Sequence, residues 1–449
     1  MPNTKQNPRP LEALVKDNLQ QVKTQLLQLD LTALARQSGL LKRRPRKIPI
    51  PSFALALVAL AAETVLSLER VATAITLTAQ TAYSKQALHQ RLGPSLRDFL
   101  LRIATAFFDQ LGLPVKNLGW FRAFQRVLLH DSTAEPLPQD LADLFPGPAN
   151  GRKRRYACLK IQFVCDLLSG QPLQLSLSGF TRNDQAAAPD ILKILRRGDL
   201  VLRDLGYFVL KVFQQIMLKG AFFLSRYRHG TNLYDPQTQA PLDLAGLLRP
   251  GQSLDRQVLL GAEKIPVRLV ALPVAEALAN QRRRLARANR DRRLNPSPQR
   301  LYLLAWNIFV TNVVRSVWPV EALQPIYRLR WRIEIIFKAW KSHLGLRQLN
   351  CRTAPLLYLS VQTKLLFCTL VYQLCNALEL LGDHPQQHVS LLRLARILGQ
   401  CACWFAAMMV GLTIEAWVEA HLKNHLLYER RRDRINFYEL LAGITHPLA

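Results

Sequence analysis

The stretch RVLLHDST at 126–133 is the starting point for predicting the fold. It is an aliphatic run of strand length that leads into an acidic residue, Asp131. A second run of the same kind, DLVLRDLGYF at 199–208, leads into Asp204 and then a glycine. We therefore expect two buried strands, each followed by an aspartate.

The segment between the two runs determines whether they can be neighbours. YACLKIQFVCDLLSGQPLQLSLSGF at 156–180 alternates like two strands of a hairpin joined at Ser169 and Gly170. NDQAAAPDILKILRRG at 183–198 is typical of a helix that stops at Gly198. Because the hairpin extends one edge of a sheet and the helix crosses back over its face, the first and last strands can be parallel neighbours. Both aspartates would then lie at the same carboxyl end.

A third acidic residue belongs to a stretch with the apolar spacing of a helix, YRLRWRIEIIFKAWK at 327–341. At about 100° per residue, its polar side chains fall within one arc of about 80°. This polar stripe consists of Tyr327, Arg330, Glu334, Lys338 and Lys341. We expect the remaining faces to be an apolar side that is buried and a basic edge that is solvated. The apolar side consists of Leu329, Ile333, Ile336 and Trp340, and the basic edge of Arg328 and Arg332.

The polar stripe has two interpretations. On a surface, Arg330, Glu334 and Lys338 would form ordinary ion pairs worth only tenths of a kcal/mol each, and wheel geometry alone favours this interpretation. The two aspartates upstream favour chemistry instead, because three converging carboxylates can hold two divalent cations about 3.5–4 Å apart. That arrangement activates a water and stabilises the leaving oxygen in phosphodiester chemistry. Basic residues one turn away from Glu334 would hold the phosphate.

The chain is strongly basic, with 60 Lys and Arg against 31 Asp and Glu, a formal charge of +29 and a pI of about 10.4. A polyanion is the expected partner, and basic runs such as RRRLARANRDRR at 282–293 fit phosphate contacts along a nucleic acid. No membrane is expected, since the apolar runs at 53–62 and 401–412 fall short of the roughly 20 residues of a span. Seven cysteines without a CxxC pair, and an N-terminus without a secretory apolar segment, favour the cytoplasm.

Composition and periodicity divide the chain into five regions. Helical patterns predominate at both ends, and short strand-like runs separated by turns characterise the segment that contains the arginine-rich run. We expect a helical N-terminal DNA-binding domain at 1–115, the first part of the catalytic core at 116–228, an inserted β-rich domain at 229–305, the second part of the core at 306–370 and a helical C-terminal region, suited to dimerisation, at 371–449. Within the first region, residues 69–93 have the pattern of two helices joined by a turn, which is either a DNA-reading element or an ordinary hairpin.

The stripe has the spacing of a known signature, the Y-R-E-K motif of bacterial insertion-sequence DDE transposases of family four, and the chain resembles that family from about 120 to 370. HDST at 130–133 is similar to the family's first-aspartate motif and DLGYF at 204–208 to its second. The resemblance implies an α/β ribonuclease-H-like (retroviral-integrase-like) catalytic core with an inserted β-rich domain, flanked by helical N- and C-terminal regions. The four signature residues are Tyr327, Arg330, Glu334 and Lys341.

The resemblance also implies a role for each site residue. Asp131, Asp204 and Glu334 would be the D-D-E triad that binds two Mg²⁺ or Mn²⁺ ions. Trp306 is placed like a tryptophan that stacks on a flipped base in related enzymes, although an apolar strand also needs a tryptophan for its own packing. The residues implied to hold the DNA backbone are Tyr327, Arg330 and Lys341, with Lys338 beside them.

The implied function is metal-dependent strand cleavage at insertion-sequence ends and strand transfer into target DNA, of the cut-and-paste type. Its partners would be double-stranded DNA, with its terminal inverted repeats, and a second copy of the chain in a synaptic complex. Two other functions remain open. A ribonuclease-H-like structure-specific nuclease would cut without joining, which the Y-R-E-K stripe argues against. A domesticated or inactive transposase-derived protein would bind DNA without cutting, and the three acidic residues argue against it.

Overall fold

The computed structural model describes residues 28–42, 49–60, 68, 71–72, 75, 85–111, 119–148, 156–288, 296–381 and 388–400. Within these ranges the strands form one mixed sheet in the order β3-β2-β1-β4-β5-β9-β8-β7-β6. The strands are β1 Val127–Leu137, β2 Ala157–Asp166, β3 Pro172–Gly179, β4 Leu200–Arg203, β5 Phe222–Arg226, β6 Leu233–Tyr234, β7 Leu254–Leu260, β8 Ile265–Pro273 and β9 Trp306–Thr311.

The expected pairing of the first and last strands of the core segment is confirmed. β1 and β4 are parallel neighbours, with His130 opposite Arg203 at the end of their shared register. β2 and β3 form the antiparallel hairpin that extends the sheet beyond β1. Asp131 and Asp204 are each the next residue after that last register pair, so both lie at the carboxyl end of the parallel strands.

The strands of segment 229–305 continue the same sheet. β8 pairs with β9 in an antiparallel register from Arg268 opposite Thr311 to Pro273 opposite Trp306, and β9 pairs with β5. β7 and β6 follow at the outer edge. Because backbone hydrogen bonds run from β5 through β9 to β8, this segment is joined to the rest of the sheet along a full strand.

Helices cover both faces of the sheet. They are α1 Leu31–Gln37, α2 Ile50–Leu60, α3 Lys85–His89, α4 Pro94–Leu111, α5 Asp184–Ala187, α6 Leu210–Leu218, α7 Leu244–Leu247, α8 Glu276–Arg287, α9 Pro298–Leu303, α10 Leu323–Arg328, α11 Trp331–Ser342, α12 Ala354–Leu381 and α13 Leu391–Gln400.

Neighbouring side chains of β1 show the two layers of the core. Val127 and Leu129 belong to the core shared with α10 to α13, and Leu128 belongs to the core shared with the helices on the opposite face. All three side chains are fully buried. Successive residues of a strand point to opposite faces, which explains why both layers require the continuous aliphatic run of the sequence.

The helix predicted at 183–198 is shorter than the sequence pattern suggested. Asn183 caps α5 by accepting a hydrogen bond from the backbone N–H of Ala186, and after Ala187 the chain continues as a 3₁₀ helix, Ala188–Lys193. Pro189 has no backbone N–H and cannot continue the α-helical pattern, which accounts for the tighter turn. Gly198 has a φ of +83°, but the helical winding already ends at Lys193, before the expected stop at Gly198.

The flanking helices pack on the long helix α12. Helices of the N-terminal region share a buried core with Leu359 and Leu366 of α12. Because α12 runs from Ala354 to Leu381 without a break, the expected boundary between residues 370 and 371 does not coincide with the end of an element. Residues 401–449 and most of 61–84 lie outside the described residues. No helix in the ranges described above is both long and apolar enough to cross a membrane.

Candidate active site

Glu334 lies in the first turn of α11, just after a break in the helical stretch. The single helix expected over 327–341 is two helices, α10 and α11, and the turn between them contains Leu329 and Arg330. At the break, the backbone N–H groups of Arg330 and Ile333 donate to carbonyls three residues earlier, those of Tyr327 and Arg330. This tighter winding is typical of a local 3₁₀ turn.

Arg330 lies between two of the acidic residues, Asp131 and Glu334. Its Nη1 lies 3.2 Å from Oδ2 of Asp131, and its Nη2 lies 2.7 Å from Oε1 of Glu334. Burial alone would lower the pKa of Arg330, but the negative charges around it, including that of Asp204, raise it instead. Asp131 and Glu334 therefore share one guanidinium, and Arg330 is 6% exposed.

Asp131 is held in place from two sides. Its Oδ1 accepts a hydrogen bond of 2.8 Å from the backbone N–H of Ser132, while its Oδ2 faces Arg330. Burial raises the pKa of Asp131 to about 6, although both hydrogen-bond donors oppose the rise. The charges of Glu334 and Asp204 raise this pKa further, which indicates that the carboxylates repel one another across the site.

The other signature residues lie around this centre. The Tyr327 hydroxyl donates to the carbonyl of Arg203, immediately before Asp204, at 3.3 Å. Lys341 Nζ donates to the carbonyl of Ala134 at 2.9 Å and pairs with the buried Glu135 at 2.8 Å. Lys338 is exposed. Tyr327 thus contacts the end of β4 next to Asp204, whereas Arg330 and Lys341 contact β1 at Asp131 and at Ala134 and Glu135.

Two tryptophans differ sharply in exposure. Trp306, the predicted base-stacking residue, is 4% exposed and its ring lies 4.9 Å from that of Tyr302. Since stacking needs an open ring face, the structure favours the packing interpretation for this residue. Trp331 is 58% exposed at the start of α11, and the guanidinium of Arg330 lies 5.7 Å from its ring. In the sequence, the one indication that Trp331 lies near the site is its position next to Arg330.

The expectation of a solvated basic edge was half right. Arg328 is exposed, but Arg332 is 6% exposed and its guanidinium lies 5.3 Å from the ring of Tyr372 on α12. The prediction for Arg332 was wrong because α12 covers that side of α11. The apolar side is confirmed: Leu329, Ile333, Ile336 and Trp340 are all buried.

A polar network that the sequence did not reveal lies beside the two aspartates. Oδ1 of Asp184 accepts hydrogen bonds from Ser132 Oγ at 2.8 Å and Gln162 Nε2 at 3.2 Å, and pairs with Lys160 Nζ at 2.8 Å. Burial would raise the pKa of Asp184, but these donors lower it. The only signal in the sequence was a lysine, Lys160, within an otherwise apolar stretch of β2.

The carboxylate oxygens at this site are ligands of the type that divalent metal ions bind. Mg²⁺ and Mn²⁺ prefer oxygen ligands, and the carboxylates of Asp131 and Glu334 face a shared cationic partner. Among the described residues, no three His, Cys, Asp or Glu side chains are grouped closely enough to hold a metal in this arrangement. The guanidinium of Arg330 supplies the positive charge between the two carboxylates, and it would have to leave them before they could bind a metal.

Known proteins resemble the chain over this same region. The sequence model of the family described as "Transposase DDE domain" matches residues 122–374, which include Asp131, Asp204 and Glu334. The transposase for insertion sequence element IS231D of Bacillus thuringiensis subsp. finitimus is 30% identical over 342 residues, 71% of each chain. The IS231B transposase of Bacillus thuringiensis subsp. berliner is 29% identical over 336 residues, 70% of each chain. The IS1151 transposase of Clostridium perfringens is 27% identical over 291 residues, 59% of this chain and 61% of the relative.

Proposed function

Because the chain belongs to the DDE transposase family, and is a transposase of the bacterial insertion-sequence type, we propose that Asp131, Asp204 and Glu334 are its catalytic carboxylates. The DDE domain has a ribonuclease-H-like core. The observation that carries the assignment is that Arg330 pairs with both Asp131 and Glu334, while Asp204 follows β4, the parallel neighbour of β1.

Enzymes of this family depend on divalent metal ions. In our proposal Asp131, Asp204 and Glu334 hold two Mg²⁺ or Mn²⁺ ions, whose chemistry is to lower the pKa of a water and to stabilise the leaving oxygen. The oxygen donors of these side chains and the repulsion among them support this role. The protein contributes the positions of the two aspartates: the Ser132 N–H holds the Asp131 carboxylate, and the β1–β4 pairing places Asp131 and Asp204 on neighbouring strands.

The signature residues would hold the DNA backbone at the element end. Arg330 and Lys341 carry the charges that suit phosphate, and Tyr327 contributes a hydroxyl beside Asp204. Lys338 and Trp331 are exposed on the same helix, so they can reach DNA without any change in the core. We propose Trp331, in place of Trp306, as the base-contacting tryptophan, because only its ring is open.

The proposed reaction is cut-and-paste transposition. Hydrolysis at the insertion-sequence end leaves a 3′-hydroxyl, which attacks the phosphodiester of the opposite strand, forms a hairpin and releases the 3′-oxygen of the flanking DNA. Water then hydrolyses the hairpin to restore the 3′-hydroxyl, which attacks a phosphodiester of target DNA and displaces its 3′-oxygen. The reaction needs double-stranded DNA with terminal inverted repeats and a homodimer that holds two ends in a synaptic complex. The proposed compartment is the bacterial cytoplasm, at the nucleoid.

Each region outside the catalytic core is proposed to have the role expected from the sequence. Residues 1–115 would bind the element end, and residues 371–449 would contribute to dimerisation. Segment 229–305 is proposed as an insertion that lengthens the sheet of the core, which the pairing of β8 with β9 supports. Its exposed arginines on α8 would bind DNA through phosphate contacts.

Three carboxamide variants test the assignment: Asp131→Asn, Asp204→Asn and Glu334→Gln. The substrate is a duplex containing an inverted repeat from the DNA that flanks the coding region. We expect each variant to bind this duplex with nearly wild-type affinity and to lose cleavage by about 10³-fold or more. Cleavage that survives in any one variant would remove that residue from the triad.

A second assay separates transposition from the alternatives. Duplexes that already end in the 3′-hydroxyl are incubated with Mg²⁺ and a plasmid target. Joined product identifies strand transfer, whereas a structure-specific nuclease would give only cut DNA. A transposase-derived protein that only binds DNA would give neither product.

A further inference from the structure

Asp184 lies between the two chain segments that carry the catalytic aspartates. Its Oδ1 accepts the hydrogen bond of Ser132 Oγ, and Ser132 directly follows Asp131. Its Oδ2 faces the turn after Asp204: a Cβ added at Gly206 would lie only 3.1 Å from this oxygen. One carboxylate therefore contacts the β1 segment on one side and the Asp204 turn on the other.

A second connection runs through Gln162 on β2. Its amide nitrogen donates to Asp184 at 3.2 Å, and its amide oxygen accepts a hydrogen bond of 2.5 Å from the hydroxyl of Tyr207. Tyr207 ends the 3₁₀ turn Leu205–Tyr207 that begins immediately after Asp204. Because Gln162 is 2% exposed and uses both ends of its amide, it links Asp184 to this turn through a defined geometry.

The charge of Asp184 is balanced locally. Lys160, whose side chain is 8% exposed, pairs with it at 2.8 Å. A partly buried ion pair with further hydrogen bonds is weak as a source of stability, but it can fix the relative position of the elements that it joins. The elements here are β1, β2, α5 and the turn after β4.

We propose that Asp184 is a positioning residue of the transposase: it sets the spacing between Asp131 and Asp204, and thereby the affinity for divalent metal at the active site. The inference rests on the proposed function of those two aspartates. Side chains that orient metal ligands typically change metal affinity or activity by about 10- to 100-fold when they are removed.

Asp190 provides a matched control. It lies on the 3₁₀ helix that follows α5, its side chain is 12% exposed, and it pairs with Arg182 at 2.7 Å and Lys193 at 3.4 Å. Both partners lie outside β1 and outside the Asp204 turn. Asp190→Ala therefore breaks a comparable ion pair on the same segment without touching the aspartates.

The experiment measures Mn²⁺ binding by electron paramagnetic resonance in the full-length protein with duplex DNA bound, together with the melting temperature. For Asp184→Ala we expect an Mn²⁺ Kd about 10- to 100-fold above that of Asp190→Ala, and a melting temperature similar to that of the control. Asp184→Asn keeps an oxygen that can accept from Ser132, so it should recover part of the affinity. Equal Mn²⁺ affinity in Asp184→Ala and Asp190→Ala would overturn the proposal.

Ser132→Ala removes the hydrogen bond from Ser132 to Asp184 but keeps the Lys160–Asp184 pair. It is the variant to measure if Asp184→Ala does not fold. Loss of one hydrogen bond, about 1 kcal/mol, should weaken Mn²⁺ binding about fivefold, and unchanged binding in this variant would also contradict the inference. Asp131→Ala, measured in parallel, separates the two claims. If it binds Mn²⁺ and cleaves DNA as the wild type does, the triad itself is wrong, whatever the Asp184 variants show.

Discussion

Substitution of Arg330 by methionine should free two carboxylates that its guanidinium now neutralises. Arg330 makes charge-assisted contacts of 3.2 Å with Asp131 and 2.7 Å with Glu334. Such hydrogen bonds are worth about 1.5–3 kcal/mol each, but an arginine that leaves them becomes hydrated again. The net cost of releasing the two carboxylates from Arg330 should therefore be about 2 kcal/mol. Since 1.4 kcal/mol is a factor of ten, Arg330→Met should bind Mn²⁺ about 30-fold more tightly than the wild type in the absence of DNA.

The assay is an Mn²⁺ titration of DNA-free protein, followed by electron paramagnetic resonance. Arg328→Met is the matched control, because Arg328 is exposed on the preceding turn of the same helical stretch. We expect the control to bind Mn²⁺ as the wild type does. If Arg330→Met also binds like the wild type, Arg330 does not compete for the carboxylates, and the reasoning from its contacts is refuted.

Three further predictions concern other parts of the molecule. Trp331→Ala should change the free energy of unfolding by less than about 0.5 kcal/mol but weaken DNA binding by about 1–3 kcal/mol, whereas Trp306→Ala should lower the free energy of unfolding by about 3–5 kcal/mol. Denaturant unfolding and duplex titrations of both variants measure this contrast, and equal effects of the two on DNA binding would contradict it. Burial lowers the pKa of His130 to about 3. In the unfolded chain this histidine takes up a proton near pH 6.5, whereas in the folded protein it stays neutral down to about pH 3. The free energy of unfolding is therefore highest above pH 6.5 and falls as the pH is lowered towards 3, with a loss of about 2 kcal/mol at pH 5. Unfolding in urea at pH 7.5 and pH 5 should show a smaller acid loss for His130→Phe than for the wild type, and an equal loss would contradict the prediction. Replacing the exposed Arg284 and Arg287 of α8 by glutamate should weaken binding to all duplexes and reduce the slope of log K against log salt by about two, and an unchanged slope would exclude α8 from the DNA contacts.

The strand arrangement of the core could be predicted because it depends on local patterns and one chirality rule. Two aliphatic runs, a hairpin and a crossing segment admit few arrangements in which the strands are parallel neighbours. The pairing of His130 with Arg203 follows from that arrangement and brings Asp131 and Asp204 to the same end. The sequence alone was therefore sufficient to identify two of the three proposed catalytic residues as neighbours.

The break before α11 could not be predicted because its contacts are distant in sequence. Arg330 contacts Asp131, which lies 199 residues earlier, and the backbone winds more tightly on either side of it. A helical wheel assumes one continuous helix and cannot represent such a turn. The polar stripe nevertheless meets the aspartates, because the turn redirects Arg330 and leaves Glu334 on the same side.

Side-chain burial was the other feature that local patterns could not determine. Arg332 is buried because the ring of Tyr372 lies over it, and Trp306 is buried beside Tyr302. Asp184 looked like an ordinary residue of a first helical turn, since nothing nearby in sequence indicated that Ser132 and Lys160 would reach it. In each case the partner comes from another element, and its position depends on the completed fold.

The two cationic residues of the signature are both paired with acidic side chains of the protein itself. Arg330 is paired with Asp131 and Glu334, and Lys341 with Glu135. A phosphate that draws Arg330 away leaves two carboxylates without a counter-charge, and a metal that takes the carboxylates leaves Arg330 without one. Either the phosphate or the metal must break the ion pairs of Arg330, and once one of them is bound the other no longer has to break these pairs. With the roles proposed for Arg330 and the carboxylates, linkage requires the two affinities to rise together, so we expect this internal ion pair to couple metal binding to the arrival of the DNA end.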